Sequence, residues 1–538
     1  MLVIALAQVQ MSFNISALPV SIGGIVEDFQ TSPSTISTAL VTYSLAVAAL
    51  VMVGAKLGQR YGSRNLFQAG VIGHGIGMAM MVFAAGPTMM IVAQAVAGMG
   101  AALLVPALVV MIATHYEGRQ KSQAIGYLQS SQALAGVLAF LIAGAMATLL
   151  GWRSSYVLIC IIAVGVFALS FRLKSPAGKP SVTIDTVGAL LIAAAVILIS
   201  LGFDNLNRWG LFSANPGAPF SIAGMSPAPL MIVFGLVIGQ AFFLWSYKRA
   251  EKDLPPLLAL DTVNSAAKVA TAFCLLVVGA LGPAVTFLIP LYIQIVQGRT
   301  EFQTSIAIIP YSLAIFVAAF LSVRLFDRFT PRAISIFAFS LLAAGLAYLA
   351  FVIQNEWSTV WVVAGLIVTG LGEGVLLTLM FNLMVRSSPT RYAGDVGALR
   401  GTVNNLSTAV GTAIAAALVI GVLSVNVMRD IEYYDSISPE LIEAVNLDDI
   451  DFVSNDRLES ILEEYNASPA DVEAATTLNQ TARLSALKVS FLTLAALALL
   501  AIVPSFILPG RKLEELDPGD SAGSSEPPAT EPAPASAA

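Results

Sequence analysis

Long apolar stretches dominate this sequence and decide what the chain can fold into. A helix that crosses a bilayer needs roughly 18 or more predominantly apolar residues. Only 11% of the residues are charged, whereas a soluble domain has about 25%. The sequence therefore predicts an all-α integral membrane protein with 14 spans, near residues 2–20, 36–57, 65–85, 88–114, 124–149, 154–171, 186–203, 229–246, 267–295, 304–324, 333–353, 360–384, 396–424 and 489–508.

The distribution of lysine and arginine predicts which side of the membrane each loop occupies. If the N-terminus is cytoplasmic, 20 of the 27 Lys and Arg residues fall on the cytoplasmic side and 7 on the external side. Loops on the cytoplasmic side carry such an excess of positive charge. We therefore expect both termini to be cytoplasmic, and we expect the acidic segment 425–488 to be external.

Two pieces of the sequence recur at nearly equal spacing. The loop "LGQRYGSR" at 57–64 aligns with "LFDRFTPR" at 325–332, at an offset of 268 residues. The run "AGMGAALLV" at 97–105 aligns with "TGLGEGVLL" at 369–377, at an offset of 272. Repeats in corresponding places indicate duplication, and transporters built from such repeats bind substrate near the midplane where the halves meet.

The repeat predicts how the chain is divided. Residues 1–172 form an N-terminal six-helix bundle and residues 266–510 a C-terminal one, with two inserted transmembrane helices and their linkers in 173–265. Segment 425–488 joins the last two spans and is either a lid, a partner-binding element or a solvated acidic loop. The composition of 511–538 predicts a disordered cytoplasmic tail.

The repeated loop has a composition suited to gating. Arginines in a tight turn between two spans can bind helix C-terminal carbonyls and anionic headgroups, and glycines permit close helix contact. A basic loop with a purely topological role is the alternative. The residues concerned are Gly54, Gln59, Arg60, Gly62, Arg64, Asp327, Arg328 and Arg332.

At these motifs the sequence resembles the major facilitator superfamily, and within it the 14-span drug:proton antiporter branch. The resemblance implies the major facilitator fold, with two six-helix bundles plus two inserted helices, and proton-coupled export by alternating access. It covers about residues 1–510 and rests on "ALP" (17–19), "GAKLGQRYGSR" (54–64), "QAVAGMGAA" (94–102), "GWR" (151–153) and "AGDVGALRGTVNNLSTAVGTA" (393–413).

The sequence departs from that branch at positions linked to proton antiport or its gating. The acid of the first loop is replaced by Gln59, although the second copy keeps Asp327. The span-4 arginine is replaced by Gln94, and the span-1 acid by Gln10. The Gly-Pro pair of span 5 falls near residues 139–140, which are Ala and Phe. The usual coupling residues of the N-terminal half therefore do not transfer to this chain.

One carboxyl group remains as a candidate for proton coupling. Glu373 lies 12 residues after Trp361, which is roughly 18 Å along a helix, so it is placed near mid-depth. An ionisable residue inside the membrane is a functional candidate by default. A structural role, in which the carboxyl group bonds a neighbouring helix, is the alternative. Arg400 is a possible charge partner, or it extends to the interface instead.

Neutral amide side chains form a second set of candidates. They can hydrogen-bond a substrate without selecting one sign of charge, or they can join neighbouring helices. His74 in span 3 is interpreted as a structural residue rather than a proton site. The candidates for a substrate cavity are Gln10, Asn14, Gln94, Gln129, Gln132, Asn404 and Asn405.

These features predict a secondary transporter that exports small amphipathic organic compounds in exchange for protons or another coupling ion. The alternatives are an uncoupled or symporting permease for a small organic solute, and a non-transporting receptor or partner subunit acting through the external loop. No phosphate-binding loop or catalytic motif occurs, so we expect no enzyme activity, ATP, nucleic acid, metal or cofactor. The predicted location is the bacterial inner (plasma) membrane.

Overall fold

The chain folds into helices joined by loops. The described part contains no β-strand beyond isolated bridges within residues 213–225, so the predicted all-α fold class is confirmed. Gln129, Gln132 and Asp327 lie outside the described residues. The computed structural model describes residues 2–115, 135–136, 138–173, 178, 180, 182–211, 213–215, 217–326, 328–356, 359–387, 393–430, 452–464 and 467–512.

The helices follow the predicted apolar stretches along the chain. Up to residue 250 they are α1 (Leu2–Val20), α2 (Ile22–Phe29), α3 (Pro33–Tyr61), α4 (Ser63–Val82), α5 (Pro87–His115), α6 (Leu138–Leu150), α7 (Arg153–Ser170), α8 (Thr186–Asp204), α9 (Leu206–Trp209) and α10 (Pro227–Ala250). Beyond it they are α11 (Ala266–Leu291) with a π-helical turn (Tyr292–Val296), α12 (Glu301–Phe326), α13 (Pro331–Val352), α14 (Thr359–Arg386), α15 (Ala393–Asp430), α16 (Asn455–Glu464), α17 (Pro469–Leu500) and α18 (Ile502–Ser505).

Among the described residues, 12 helices are long and apolar enough to cross a membrane. Two of the 14 predicted spans are not among them. The span near 65–85 corresponds to α4, a helix of 20 residues that carries the polar side chains Gln68 and His74. The span near 124–149 is described only in part, as α6. The count of 14 therefore stays a prediction.

The last membrane helix begins much earlier than the sequence analysis predicts. The expected span covers residues 489–508, whereas α17 is continuous from Pro469 to Leu500 and so projects beyond one end of that span. Ser468 caps it through a capping box with Asp471, and Pro469 occupies its first turn. No glycine or proline interrupts the sequence from there to residue 503, so nothing ends the helix at the apolar boundary.

The helices pack as two groups with an inserted pair. In the N-terminal half, α5 packs against α3 and α4, and α7 packs against α4 and α1. In the C-terminal half, α14 packs against α12 and α13, and α15 packs against α11 and α17. The halves meet along α3 and α15, and α8 of the inserted α8–α10 pair packs against both. The domain boundaries at 172 and 265 stay a prediction.

Candidate functional site

Three acidic side chains are buried among the described residues, and two of them cap helices. Asp185, 3% exposed, accepts a hydrogen bond from the Gly188 backbone at the start of α8. Asp471, 5% exposed, completes the capping box with Ser468. Glu373, 6% exposed, lies in the middle of α14, where no helix terminus needs a cap. A capping role therefore does not account for Glu373.

Two neighbouring helices contribute the surroundings of Glu373. The hydroxyl group of Tyr311 on α12 donates a hydrogen bond to Glu373 Oε2, and Tyr311 is itself 2% exposed. On α11, a Cβ atom at Gly282 would overlap the carboxylate, so this glycine provides the space that the carboxylate occupies. A buried charged or polar group is tolerated when it is hydrogen-bonded, as here. The arrangement places a carboxyl group and a phenol in direct contact inside the C-terminal half.

The glycines around Glu373 permit close helix contact. A Cβ atom at Gly370 would lie 2.6 Å from the carbonyl oxygen of Tyr311 on α12. A Cβ atom at Gly372 would lie 2.8 Å from the backbone nitrogen of Leu342 on α13. Because only glycine fits at these distances, the backbone of α14 contacts both α12 and α13 close to Glu373.

The same packing occurs in the N-terminal half at the repeat offset. A Cβ atom at Gly98 on α5 would lie 2.5 Å from the carbonyl oxygen of Tyr43 on α3, as Gly370 does with Tyr311. The glycine pair is separated by 272 residues and the tyrosine pair by 268, the two offsets found in the sequence. Ala101 stands in the first half where Glu373 stands in the second, so the repeat preserves the packing and not the acid.

Sequence reasoning missed Tyr311, although a signal for it exists. The tetrapeptide "YSLA" occurs at 43–46 and again at 311–314, in register with the repeated loop. Extending the repeat alignment upstream would have identified Tyr43 and Tyr311 as equivalent residues. The pairing of Tyr311 with Glu373 was not predictable in this way, because the position equivalent to Glu373 is an alanine.

Arg400 and the two asparagines lie on α15. The guanidinium group of Arg400 lies 3.9 Å from the centroid of the Phe381 ring, a cation–π contact with α14. A charge pair between Arg400 and Glu373 stays a prediction, for a conformation other than this one. The Asn405 side chain donates to the Gly401 carbonyl at 2.9 Å, whereas the Asn404 side chain is exposed.

The amide candidates of the N-terminal half bond to one another. Asn14 and Gln94 donate reciprocally, at 3.0 and 3.2 Å, and both are buried. Gln10 Nε2 lies 2.9 Å from His74 Nδ1, and neither residue is exposed. These contacts favour the helix-joining role over the substrate-binding role for Gln10, Asn14 and Gln94 in this conformation.

The glycines of the repeated loop hold α3 and α4 close to their neighbours. Gly62 separates the two helices with a φ of 93°, a conformation that favours glycine. A Cβ atom at Gly54 would overlap the backbone of Ala102 on α5. Gln59, in place of the family's acid, is exposed.

The arginines of the loop make separate contacts. Arg60 and Arg64 lie 5.5 and 5.6 Å from the ring centroids of Tyr61 and Phe171, respectively. In the second copy, Arg332 Nε donates to the Leu508 carbonyl at 3.2 Å, while Arg328 is exposed. In both copies an arginine therefore joins the loop to the last span of its own half.

Comparison with known families identifies the fold. A family model described as the Major Facilitator Superfamily matches residues 4–412. The chain belongs to the major facilitator superfamily. It is an integral membrane transporter of small molecules and not an enzyme.

Individual relatives of this major facilitator protein share limited identity with it. It is 27% identical over 406 residues to a probable actinorhodin transporter of Streptomyces coelicolor, covering 74% of this chain and 68% of the relative. It is 24% identical to the multidrug efflux pump LfrA of Mycolicibacterium smegmatis, covering 76% and 78%. The crystal structure of a bacterial homologue of the lysosomal transporter Spinster is similar in fold, with a TM-score of 0.58, 14% identity and coverage of 93% and 95%.

Proposed function

We propose that this transporter exports small amphipathic organic molecules by alternating access, and that proton exchange at Glu373 drives the export. The observation that carries the proposal is the contact between the Glu373 carboxylate and the Tyr311 hydroxyl in the C-terminal half. The relative named as a multidrug efflux pump supports the direction of transport, and together with the probable actinorhodin transporter it supports a small-molecule substrate. Their bacterial origin supports a location in the bacterial inner membrane. The excess of Lys and Arg in the predicted cytoplasmic loops supports cytoplasmic positions for both termini.

A buried carboxyl group can couple transport to protons because only one of its two forms is charged. Without compensating hydrogen bonds, burial of the ionised carboxylate costs far more free energy than burial of the protonated form. Rearrangement of α11, α12 and α14 around Glu373 would change those bonds and so change the affinity for the proton. Conversely, protonation of Glu373 would favour an arrangement of these helices that offers the carboxyl group fewer hydrogen bonds.

Two uncharged residues of the N-terminal half support the choice of Glu373 as the proton site. Gln10 and Gln94 occupy positions where the antiporter branch has charges, and both bond to uncharged side chains of the same half. Among the described residues, Glu373 is the buried acid that no helix cap explains. The proton site is therefore proposed for the C-terminal half alone.

Growth protection tests the proposal. Cells producing the transporter are exposed to a panel of toxic amphipathic compounds, with and without an uncoupler. We expect protection that the uncoupler removes and that Glu373→Gln abolishes at normal expression. Glu356→Gln is the matched control, because this exposed acid lies in the loop before the same helix. Protection that survives both the uncoupler and Glu373→Gln would contradict proton coupling.

A vesicle assay separates coupling from binding. In proteoliposomes without a pH gradient, Glu373→Gln should still exchange a protected compound between the two sides, since alternation of the loaded carrier needs no net proton movement. With a gradient, it should no longer concentrate that compound. Uptake of a nutrient in place of protection would favour the permease alternative.

A further inference from the structure

Gln294 joins the two halves of the transporter at the end of α11. Its side-chain oxygen accepts a hydrogen bond from the Gly23 backbone at 2.6 Å, and its side-chain nitrogen donates to the Val20 carbonyl at 2.8 Å. Val20 ends α1 and Gly23 lies in the first turn of α2, whereas Gln294 belongs to the C-terminal half. One amide thus uses both its donor and its acceptor across the interface, on the side predicted to be external.

We propose that Gln294 is the latch of the external gate, and that Arg483 braces this latch from the external segment. The inference rests on the proposed alternating access, because a gate must open for substrate to leave. It assigns a role to residues outside the proton site. It also gives the external segment a function in gating in place of binding a partner.

The structure around the latch is built for close contact between the halves. A Cβ atom at Gly23 would lie 2.9 Å from the Gln294 side-chain oxygen, and one at Gly24 would lie 3.0 Å from the Glu301 carboxylate. The Thr148 hydroxyl of α6 lies 3.3 Å from the Glu301 carboxylate and accepts from the Phe302 backbone at 3.1 Å. Two consecutive glycines of α2 therefore face two polar side chains of the C-terminal half.

The π-helical turn determines where Gln294 lies. Such turns are rare, occur inside or at the end of α-helices, and are frequent at functional sites. This one, Tyr292–Val296, is held within the C-terminal half by the Tyr292 hydroxyl, which donates to the Gln354 carbonyl at 2.8 Å. Gln297 donates to the same carbonyl at 2.5 Å. The turn is thus fixed on its own half, and Gln294 extends from it to the other.

Arg483 connects this turn to the external segment. Its guanidinium group donates to the Val453 carbonyl at 2.6 Å and to the Asn455 side chain at 2.7 Å. It also lies 3.4 Å from the carbonyl of Ile295, the residue after the latch. Arg483 is 2% exposed, and these acceptors are all uncharged. A buried charge held by neutral groups requires each of them, so a displacement of the external segment is transmitted to the turn.

The external segment is itself anchored to the C-terminal half. Phe452 is fully buried in the main hydrophobic core. Leu462 of α16 packs against Ala474 and Leu478 of α17 in a smaller cluster. The described part of the segment therefore forms a packed element, which allows it to hold Arg483 and the turn in place.

Spin-label distances test the latch directly. After Cys160→Ala and Cys274→Ala, labels are attached at Leu150→Cys and Val360→Cys, two exposed positions at the predicted external ends of α6 and α14. We expect Gln294→Leu to raise the share of the longer label distances at least twofold in lipid nanodiscs. Gln294→Glu keeps the acceptor for Gly23 but sets a carboxylate oxygen against the Val20 carbonyl, so it should lengthen the distances as well.

Gln303→Leu is the matched control, because this exposed glutamine bonds to Thr300 of its own half. Its distance distribution should match that of the wild-type protein. If Gln294→Leu gives the same distribution as Gln303→Leu, the latch is overturned.

The brace is tested in the same labelled protein. Arg483→Gln should lengthen the distances in the same direction as Gln294→Leu, whereas Arg457→Gln, at an exposed position on α16, should leave them unchanged. If Arg483→Gln is poorly expressed, Asn455→Ala removes one acceptor from the loop side and should lengthen the distances as well. Unchanged distances in whichever of these two variants is measured would overturn the brace.

The experiment separates this inference from the proposed function. The label distances report the gate and need no substrate or proton gradient. Longer distances in Gln294→Leu would support the gate. If the wild-type transporter at the same time exported none of the compounds, the export proposal would be contradicted. Proton-driven export with unchanged distances would do the reverse.

Discussion

The Tyr311 hydroxyl donates a hydrogen bond to the Glu373 carboxylate, and both side chains are buried between α12 and α14. Tyr311 is equivalent by repeat to Tyr43, whose ring instead packs edge-on against His74 with centroids 6.3 Å apart. The two halves thus share a tyrosine and a glycine contact and differ in the group that the tyrosine faces. In the first half the tyrosine faces an imidazole, whereas in the second half it faces a carboxyl group.

The hydroxyl group of Tyr311 should matter for coupled transport. Tyr311→Phe keeps the ring and removes the donor to the carboxylate. A hydrogen bond to a charged group contributes about 1.5–3 kcal/mol, and about 1.4 kcal/mol corresponds to a factor of ten. We expect gradient-driven export to fall about tenfold in proteoliposomes. Tyr43→Phe, the equivalent change in the first half, should retain nearly full export, and an equal loss in both variants would refute a special role for Tyr311.

The space that Gly282 leaves for the Glu373 carboxylate should matter for transport as much as the hydrogen bond from Tyr311. Gly282→Ala places a methyl group where the Glu373 carboxylate lies. Overpacking of this kind costs about 1–3 kcal/mol. We expect lower thermal stability in detergent together with a loss of driven export. Gly165→Ala on α7 is the control, since a Cβ atom there meets nothing within 4 Å, and it should be neutral in both measurements.

The Asn14–Gln94 pair should behave as a link between helices. Asn14→Leu or Gln94→Leu leaves the other amide buried without its partner, whereas the double variant removes both. Coupling energies of polar pairs between membrane helices average about 0.6 kcal/mol. We expect a double-mutant cycle on thermal unfolding to give a coupling of that order. If the cycle is additive and the double variant changes which compounds are exported, the amides bind substrate instead.

Much of the fold follows from the sequence because the bilayer restricts the possibilities. Apolar length predicted 12 helices that are long and apolar enough to cross a membrane among the described residues. The division into two halves, which rests on the loop repeat, stays a prediction. The start of the last helix was wrong by 20 residues, since hydropathy marks the membrane boundary and not the helix end. The capping box at Ser468 and Asp471 marks that start, and hydropathy does not detect it.

The site was predictable in part. The position of an ionisable side chain inside the membrane identified Glu373 as a candidate. The partner Tyr311 and the space at Gly282 depend on how three helices come together, which local patterns do not encode. The Gln294 latch was not predicted for the same reason, because its partners lie 271 and 274 residues away.

An ion pair links the halves on the side opposite to the Gln294 latch. Lys56 Nζ on α3 lies 3.5 Å from an Asp395 carboxylate oxygen at the start of α15, and the side chains are 17% and 21% exposed. Asp395→Lys or Lys56→Asp alone places like charges together at this contact. Even an exposed ion pair contributes about 0.2–1 kcal/mol. Each single change loses this contribution and adds repulsion between two like charges. We expect each single change to slow export several-fold, and the exchange of both residues to restore it to within about twofold.

Lys248→Asp, an exposed change on the inserted pair, should have no effect. A double exchange as slow as the single variants would mean that the pair does not join the halves during transport.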